Sequence, residues 1–211
     1  MPPANLRRRR ALADAAIALL AQEGAHGLTH RAVETRAGVP AGTATNYFRR
    51  REAILIAAAD RIAELHLAEM ADVAHRVAAS AQGPAAPHPR ATGPEALVDM
   101  LTESLWTAAT TLRDRYVAVF ELQLEARRHP ALATALARLS GTALADTTGL
   151  HGDLGTSLPQ SAIRTLITLY AGTLFTLVVP PASAPDKAAV HTLAQAMVRG
   201  ALAVGDQEET A

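Results

Sequence analysis

Cysteine is absent from the 211 residues. That excludes disulfides, thiolate metal sites and cysteine nucleophiles, and it agrees with a reducing cytoplasm. Aromatic residues make up only 3% of the chain, while alanine and leucine carry much of its 49% apolar fraction. Such a composition favours helix throughout. No apolar run approaches the ~18–20 residues of a membrane span, so no membrane is expected among the partners. Walker A, GxGxxG, GxSxG and HExxH patterns do not occur, and the eight histidines are scattered, with no i, i+4 pair inside one expected helix as a helical zinc face would need. Two carboxylate pairs have i, i+4 spacing, Asp99/Glu103 and Glu121/Glu125, and read as solvated helix faces. No catalytic residue, metal or cofactor is expected, and the chain does not read as an enzyme.

Net charge is also lacking, with 20 basic against 20 acidic side chains, but the two signs are segregated. Residues 1–52 hold nine arginines against four acids (Asp14, Glu23, Glu34, Glu52), and the remainder is acidic in compensation. A basic head on an acidic body is expected where one end meets phosphate. Arg7–Arg10 followed by ALADAAIALLA imitates the charged and apolar regions of a signal peptide. Asp14 interrupts the imitation, and the apolar residues keep helical spacing into a motif that must be retained.

That motif is LTHRAVETRAGVPAGTATNYFRRR, Leu28 to Arg51. Thr29 is a good N-cap for a two-turn helix from His30 to Ala37. Gly38 supplies the permissive backbone for a sharp turn, and Pro40 suits the first position of a second helix over about 40–46. Ala41, Gly42, Thr43, Ala44 and Thr45 are small and let a backbone approach closely. The pattern is a helix-turn-helix, whose second helix enters a major groove. Arg49–Arg51 stand where the next helix begins, at the positive end of its dipole, with only Glu52 to relieve them locally.

The same stretch resembles the TetR family of transcriptional regulators. The resemblance rests on LLAQEG (19–24), LTHRAVETRAGV (28–39), Gly42-Thr43, Tyr47-Phe48 and Arg51-Glu52-Ala53-Ile54-Leu55, about the first quarter of the chain. The family usually has Ser at 40, an aromatic residue at 45 and Ser or Asn at 50; this chain has Pro40, Thr45 and Arg50. The resemblance implies DNA contacts by Thr29, Arg31, Ala41, Gly42, Thr43, Thr45, Asn46, Tyr47 and Arg51. Arg31 is the candidate base reader, because arginine pairs bidentately with guanine O6 and N7. Arg7–Arg10 serve either as an arm on the DNA or as a solubilising tail.

Helices are expected at 7–23, 52–79, 95–112, 114–128, 130–149, 159–179 and 186–204, with a Pro/Gly-rich loop at 80–94. The 52–79 helix would span ~42 Å and act as a lever between head and body. The expected fold is all-α: a three-helix head (1–51) joined by the long helix to a ligand-binding and dimerisation bundle (52–211). Leu101, Ser104, Leu105, Trp106, Tyr116, Phe120, Gln123, Tyr170 and Leu174 combine apolar stripes with polar anchors. In a bundle whose family keeps an effector pocket there, they are the candidate lining for a small apolar or aromatic molecule. Leu166, Leu169, Thr173, Leu177, Val190, Leu193 and Met197 are the candidate dimer surface, since the last two helices are too apolar to cover one side only.

The function expected from these readings is a cytoplasmic, homodimeric, ligand-responsive regulator of double-stranded DNA. Family resemblance makes it a repressor, and two-fold symmetry makes its operator palindromic. The alternative is a helical small-molecule-binding protein, or an enzyme on a bundle, that does not act on DNA.

Overall fold

The computed structural model describes residues 3–81, 93–138, 159–180 and 185–209, which are helical with no strand among them. The helices are α1 Pro3–Gly27, α2 His30–Ala37, α3 Thr43–Tyr47, α4 Arg51–Ala81, α5 Pro94–Ala109 and α6 Arg113–Ala126. Then come α7, described over 130–138, α8 Gln160–Val178 and α9 Lys187–Glu209. Most of the expected 80–94 loop, the 139–149 part of the fifth expected helix and the turn around 149–155 lie outside the described residues.

Local chemistry sets the boundaries. Thr29 caps α2 as expected, its Oγ1 accepting the Ala32 amide, and Gly38 ends that helix in the left-handed region at φ 64°. The second helix of the motif starts later than Pro40. Gly42 is also left-handed, at φ 85°, and the Thr43 amide turns back to the Pro40 carbonyl at 3.1 Å. Gly42 is therefore the N-cap, outside the regular helix, and Pro40–Gly42 belong to the turn. α1 begins before the expected Arg7, and Gly24, at φ 67°, kinks it where the sequence reading ends it.

Two compact units divide the chain: residues 1–85 with 114–139, and residues 86–113 with 140–211. In the first, Leu12, Ala16, Leu19 and Leu20 of α1 close over Leu28, Val33, Ala44 and Phe48. Ile54, Leu55, Ala58 and Ile62 of α4 join this core, and so do Ala118 and Leu122 of α6 and Leu132, Ala135 and Leu136 of α7. A three-helix head is too small to bury much apolar surface alone; here it shares one core with α4, α6 and α7. The compact unit is therefore larger than the 51-residue head of the sequence reading. Arg61 pins α4 to α1 through Asp14 at 2.7 Å. That bond, opposed by burial and reinforced by Glu64, holds its guanidinium above the usual value.

In the second unit α5, α8 and α9 pack on one another. Leu97, Leu101 and Leu105 of α5, Ile163, Leu166, Leu174 and Val178 of α8, and Val190, Ala194, Met197 and Val198 of α9 are its buried side chains.

Candidate nucleic-acid interface

The arginines of the first unit fall into two groups. Several are committed within the chain. Arg9 stacks on the Phe48 ring at 5.6 Å, Arg10 pairs with Glu64 at 3.1 Å, and Arg36 donates to Gln22 at 2.6 Å. Residues 3–10 are thus helical and partly anchored rather than a loose arm or tail. Arg31, Arg49 and Arg50 are exposed, and their guanidinium groups make no hydrogen bond or ion pair among the described residues. Arg31 is on α2, one residue inside its N-terminus, and Arg49 and Arg50 fill the bend between α3 and α4. These three cations bracket α3 in sequence, and their charge is free for an external anion.

Arg51 departs from the expected role. Its Nε donates to the Leu28 carbonyl at 3.1 Å, Nη2 donates to the Ala25 carbonyl, and Nη1 donates to Glu125 Oε2 at 3.1 Å. It clamps the α1–α2 corner to α6 instead of offering itself to phosphate. Glu121 and Glu125 are accordingly not a solvated pair. Glu121 Oε2 accepts the Ala25 amide at 3.0 Å, just after the Gly24 kink, and Glu125 also meets Arg128 at 3.4 Å. The i, i+4 spacing had signalled one shared face; only packing reveals what that face touches.

The remaining motif residues divide similarly. Thr29, Ala41, Gly42, Thr45 and Asn46 are exposed. Thr43 is half-buried, and its hydroxyl donates to the Pro40 carbonyl at 2.6 Å. The Tyr47 hydroxyl donates to Asn5 Oδ1 at 3.2 Å, so it braces α3 against the start of α1. Arg49 and Arg50 stand outside the expected DNA-contact set, although the Arg49–Arg51 run is itself the signal in the sequence. Exposure separates two free cations in that run from one structural cation.

Comparison with known proteins agrees with this geometry. Residues 12–58 match the model of bacterial regulatory proteins of the tetR family. Residues 92–204, more than half the chain, match the tetracyclin repressor-like C-terminal domain. The chain belongs to the TetR family. It is a DNA-binding transcriptional regulator with a helical ligand-binding domain. Among solved structures, a TetR-family regulator from Mesorhizobium loti shares 18% identity over 96% of this chain and 98% of that one, with a TM-score of 0.71. GusR of Salmonella enterica shares 21% over 96% and 97%, with a TM-score of 0.67. The multidrug binding protein EbrR, in complex with ethidium, shares 25% over 90% and 98%, with a TM-score of 0.61. No curated protein sequence matches the chain.

In this TetR-family regulator the expected effector lining is distributed over both units. Leu101, Ser104, Leu105, Trp106, Tyr170 and Leu174 lie in the second, Tyr116, Phe120 and Gln123 in the first. Leu101, Leu105 and Leu174 are buried core residues. Ser104 and Tyr170 do come together, their hydroxyl oxygens 2.8 Å apart. Trp106 is half-buried, with the Lys187 ammonium 5.8 Å from its ring. Gln123 corrects the sequence reading: it is exposed, because α6 turns Ala118 and Leu122 inward instead. Burial pushes the Tyr116 phenol above its ordinary value, and the Glu69 charge adds to that.

The expected dimer surface needs a similar correction. Leu166, Val190 and Met197 are buried within the second unit, at 2%, 0% and 4% exposure. They hold α8, α9 and α5 together and are not available to a partner chain. Leu169 and Leu193 are exposed, while Thr173 and Leu177 are half-buried. Phe175 and Val179, outside the expected set, are also exposed, at 46% and 42%. Helix α8, which holds Phe175 and ends just before Val179, is long and apolar enough to cross a membrane by length and composition alone, although no continuous apolar run marks it. Only 28% of its most apolar window is buried.

Proposed function

We propose that the protein is a homodimeric repressor that holds a palindromic operator through α2, α3 and the Arg49–Arg50 bend, and releases it on binding a small apolar or aromatic effector. The observation that carries the DNA half is the set of exposed arginines whose guanidinium groups have no partner among the described residues, Arg31, Arg49 and Arg50, around a recognition helix lined with small residues. Arg31 reads a base edge, and Arg49, Arg50, Thr45 and Asn46 meet phosphate and sugar.

The apolar residues left exposed on α8 and α9 support a two-fold dimer there. Leu169, Phe175, Val179 and Leu193 are large apolar side chains that a monomer leaves exposed, and exposed apolar surface of that kind is covered when copies associate. A dimer places two heads on one operator, with half-sites about one helical turn apart, ~34 Å. Likeness to EbrR, whose solved complexes hold ethidium and proflavin, supports an aromatic effector. The polar pair Ser104–Tyr170 would anchor it against the apolar side chains of α5 and α8. A cytoplasmic location follows from action on DNA.

The test is an electrophoretic shift of DNA from the protein's own promoter region across a salt series, with and without planar aromatic compounds such as proflavin. Retention that falls steeply with salt and is relieved by the aromatic compound supports the proposal. Retention that ignores salt counts against the DNA half, and retention indifferent to every such compound counts against the effector half.

A further inference from the structure

Within the recognition motif the strongest anomaly is an acid. Glu34, on α2, is only 6% exposed and makes no ion pair among the described residues. A buried carboxylate without a cation is costly unless hydrogen bonds compensate it. Its compensation comes from the next helix. Glu34 Oε1 accepts the Ala44 amide at 2.8 Å, and Ala44 is itself 0% exposed, so water cannot take over. Among the described residues the helix Thr43–Tyr47 has no other side-chain cap: its N-cap is Gly42, which has no side chain, and Pro40 offers neither a hydroxyl nor an N–H. The backbone carbonyl of Glu34 also accepts the Val39 amide at 3.1 Å. One residue therefore grips both ends of the turn that joins α2 to α3.

We propose that Glu34 is the cap and positioning residue of the recognition helix, fixing the pose in which α3 meets base edges. The bond satisfies one of the amides that a helix N-terminus otherwise leaves unpaired, and it depends on an acceptor oxygen at that reach. Five residues of helix cannot hold their own pose, since nucleation alone is unfavourable. The carboxylate on the neighbouring helix supplies the constraint. This inference rests on the DNA-binding reading for its consequence, but not for its geometry.

The experiment compares Glu34→Ala, Glu34→Asp and Glu34→Gln in the full chain by hydrogen exchange at the Ala44 amide. In parallel it measures the ratio of affinities for a selected operator and for random DNA. Glu34→Gln keeps an acceptor at the same reach and should leave both readouts within about threefold of wild type. Glu34→Asp keeps the charge but withdraws it by one methylene. It should behave like Glu34→Ala, with Ala44 exchange faster and the affinity ratio lower by roughly tenfold. Because Asp tests the acceptor's position, a Glu34→Ala chain that fails to fold leaves the comparison intact. Unchanged Ala44 exchange in the Asp variant would overturn the cap. Equal losses on operator and random DNA would reduce Glu34 to a folding role. A wild-type chain that retains no DNA would overturn the positioning role together with the functional reading, whereas the exchange result would still decide the cap.

Discussion

Arg51 and Glu125, 74 positions apart in sequence, meet at 3.1 Å, and the same guanidinium bonds the carbonyls of Ala25 and Leu28. One side chain thus joins the last turn of α1, the entry to α2, the first turn of α4 and the end of α6. The head and the helices behind it share a core, and this clamp closes one corner of it. A regulator built this way does not have a freely detachable head.

Arg51→Ala should therefore lower stability without acting as a lost phosphate contact. The Leu28 carbonyl loses its side-chain donor, the Ala25 carbonyl keeps only the Leu28 amide, and Glu125 loses its closest cation, at a combined cost of about 1–3 kcal/mol. The half-exposed ion pair itself contributes the smaller part, because solvent screens it. Chemical denaturation measures the loss. The slope of log K against log salt should stay as in wild type, and a slope flattened by a full unit would return Arg51 to the DNA surface.

Arg49→Ala and Arg50→Ala should show the opposite pattern. Each removes an exposed cation from beside α3, and each should flatten the salt slope by about one unit while leaving the denaturation midpoint alone. Arg36→Ala is the internal control, since its guanidinium is engaged by Gln22. Equal slopes for all three variants would contradict the division into free and committed cations.

Arg31→Ala should cost ~1–3 kcal/mol on the operator and relax preference at one position in each half-site. A panel of single-base operator variants reads this out. Uniform weakening across the panel would make Arg31 a phosphate contact.

Phe175→Asp and Leu169→Asp should yield monomers by sedimentation, because each puts a charge on the exposed apolar face of α8. Leu166→Ala should instead cost ~2–5 kcal/mol of stability through an internal cavity and leave the folded fraction dimeric. A dimer indifferent to both aspartates would move the interface away from α8.

Much of this was legible in the residues themselves. Thr29, Gly38 and the apolar spacing of α1 and α4 locate the motif, since caps, left-handed turns and helical periodicity are local properties. The family resemblance carried the architecture. Other features depended on contacts across many residues and were not legible. Arg51 looks in sequence like its neighbours Arg49 and Arg50, and only the carbonyls of Ala25 and Leu28 distinguish it. Glu121 and Glu125 read as a solvated pair because spacing names a shared face without naming what it faces. Leu166 and Val190 carry the same apolar signal as Leu169 and Leu193, yet the first two point into the unit and the second two out of it. Gly42 in the sequence signals close approach, and its left-handed backbone also places the start of α3 after it.

The most direct measurement of the central claim is selection of bound sequences from random duplex DNA, repeated with the wild-type chain and with the Arg31→Ala, Arg49→Ala, Arg50→Ala triple variant. The account predicts enrichment of a two-fold symmetric site by the wild type, steeply weakened by salt, and its loss in a triple variant that remains folded. No enrichment by the wild type, or equal enrichment by the triple variant, would contradict it.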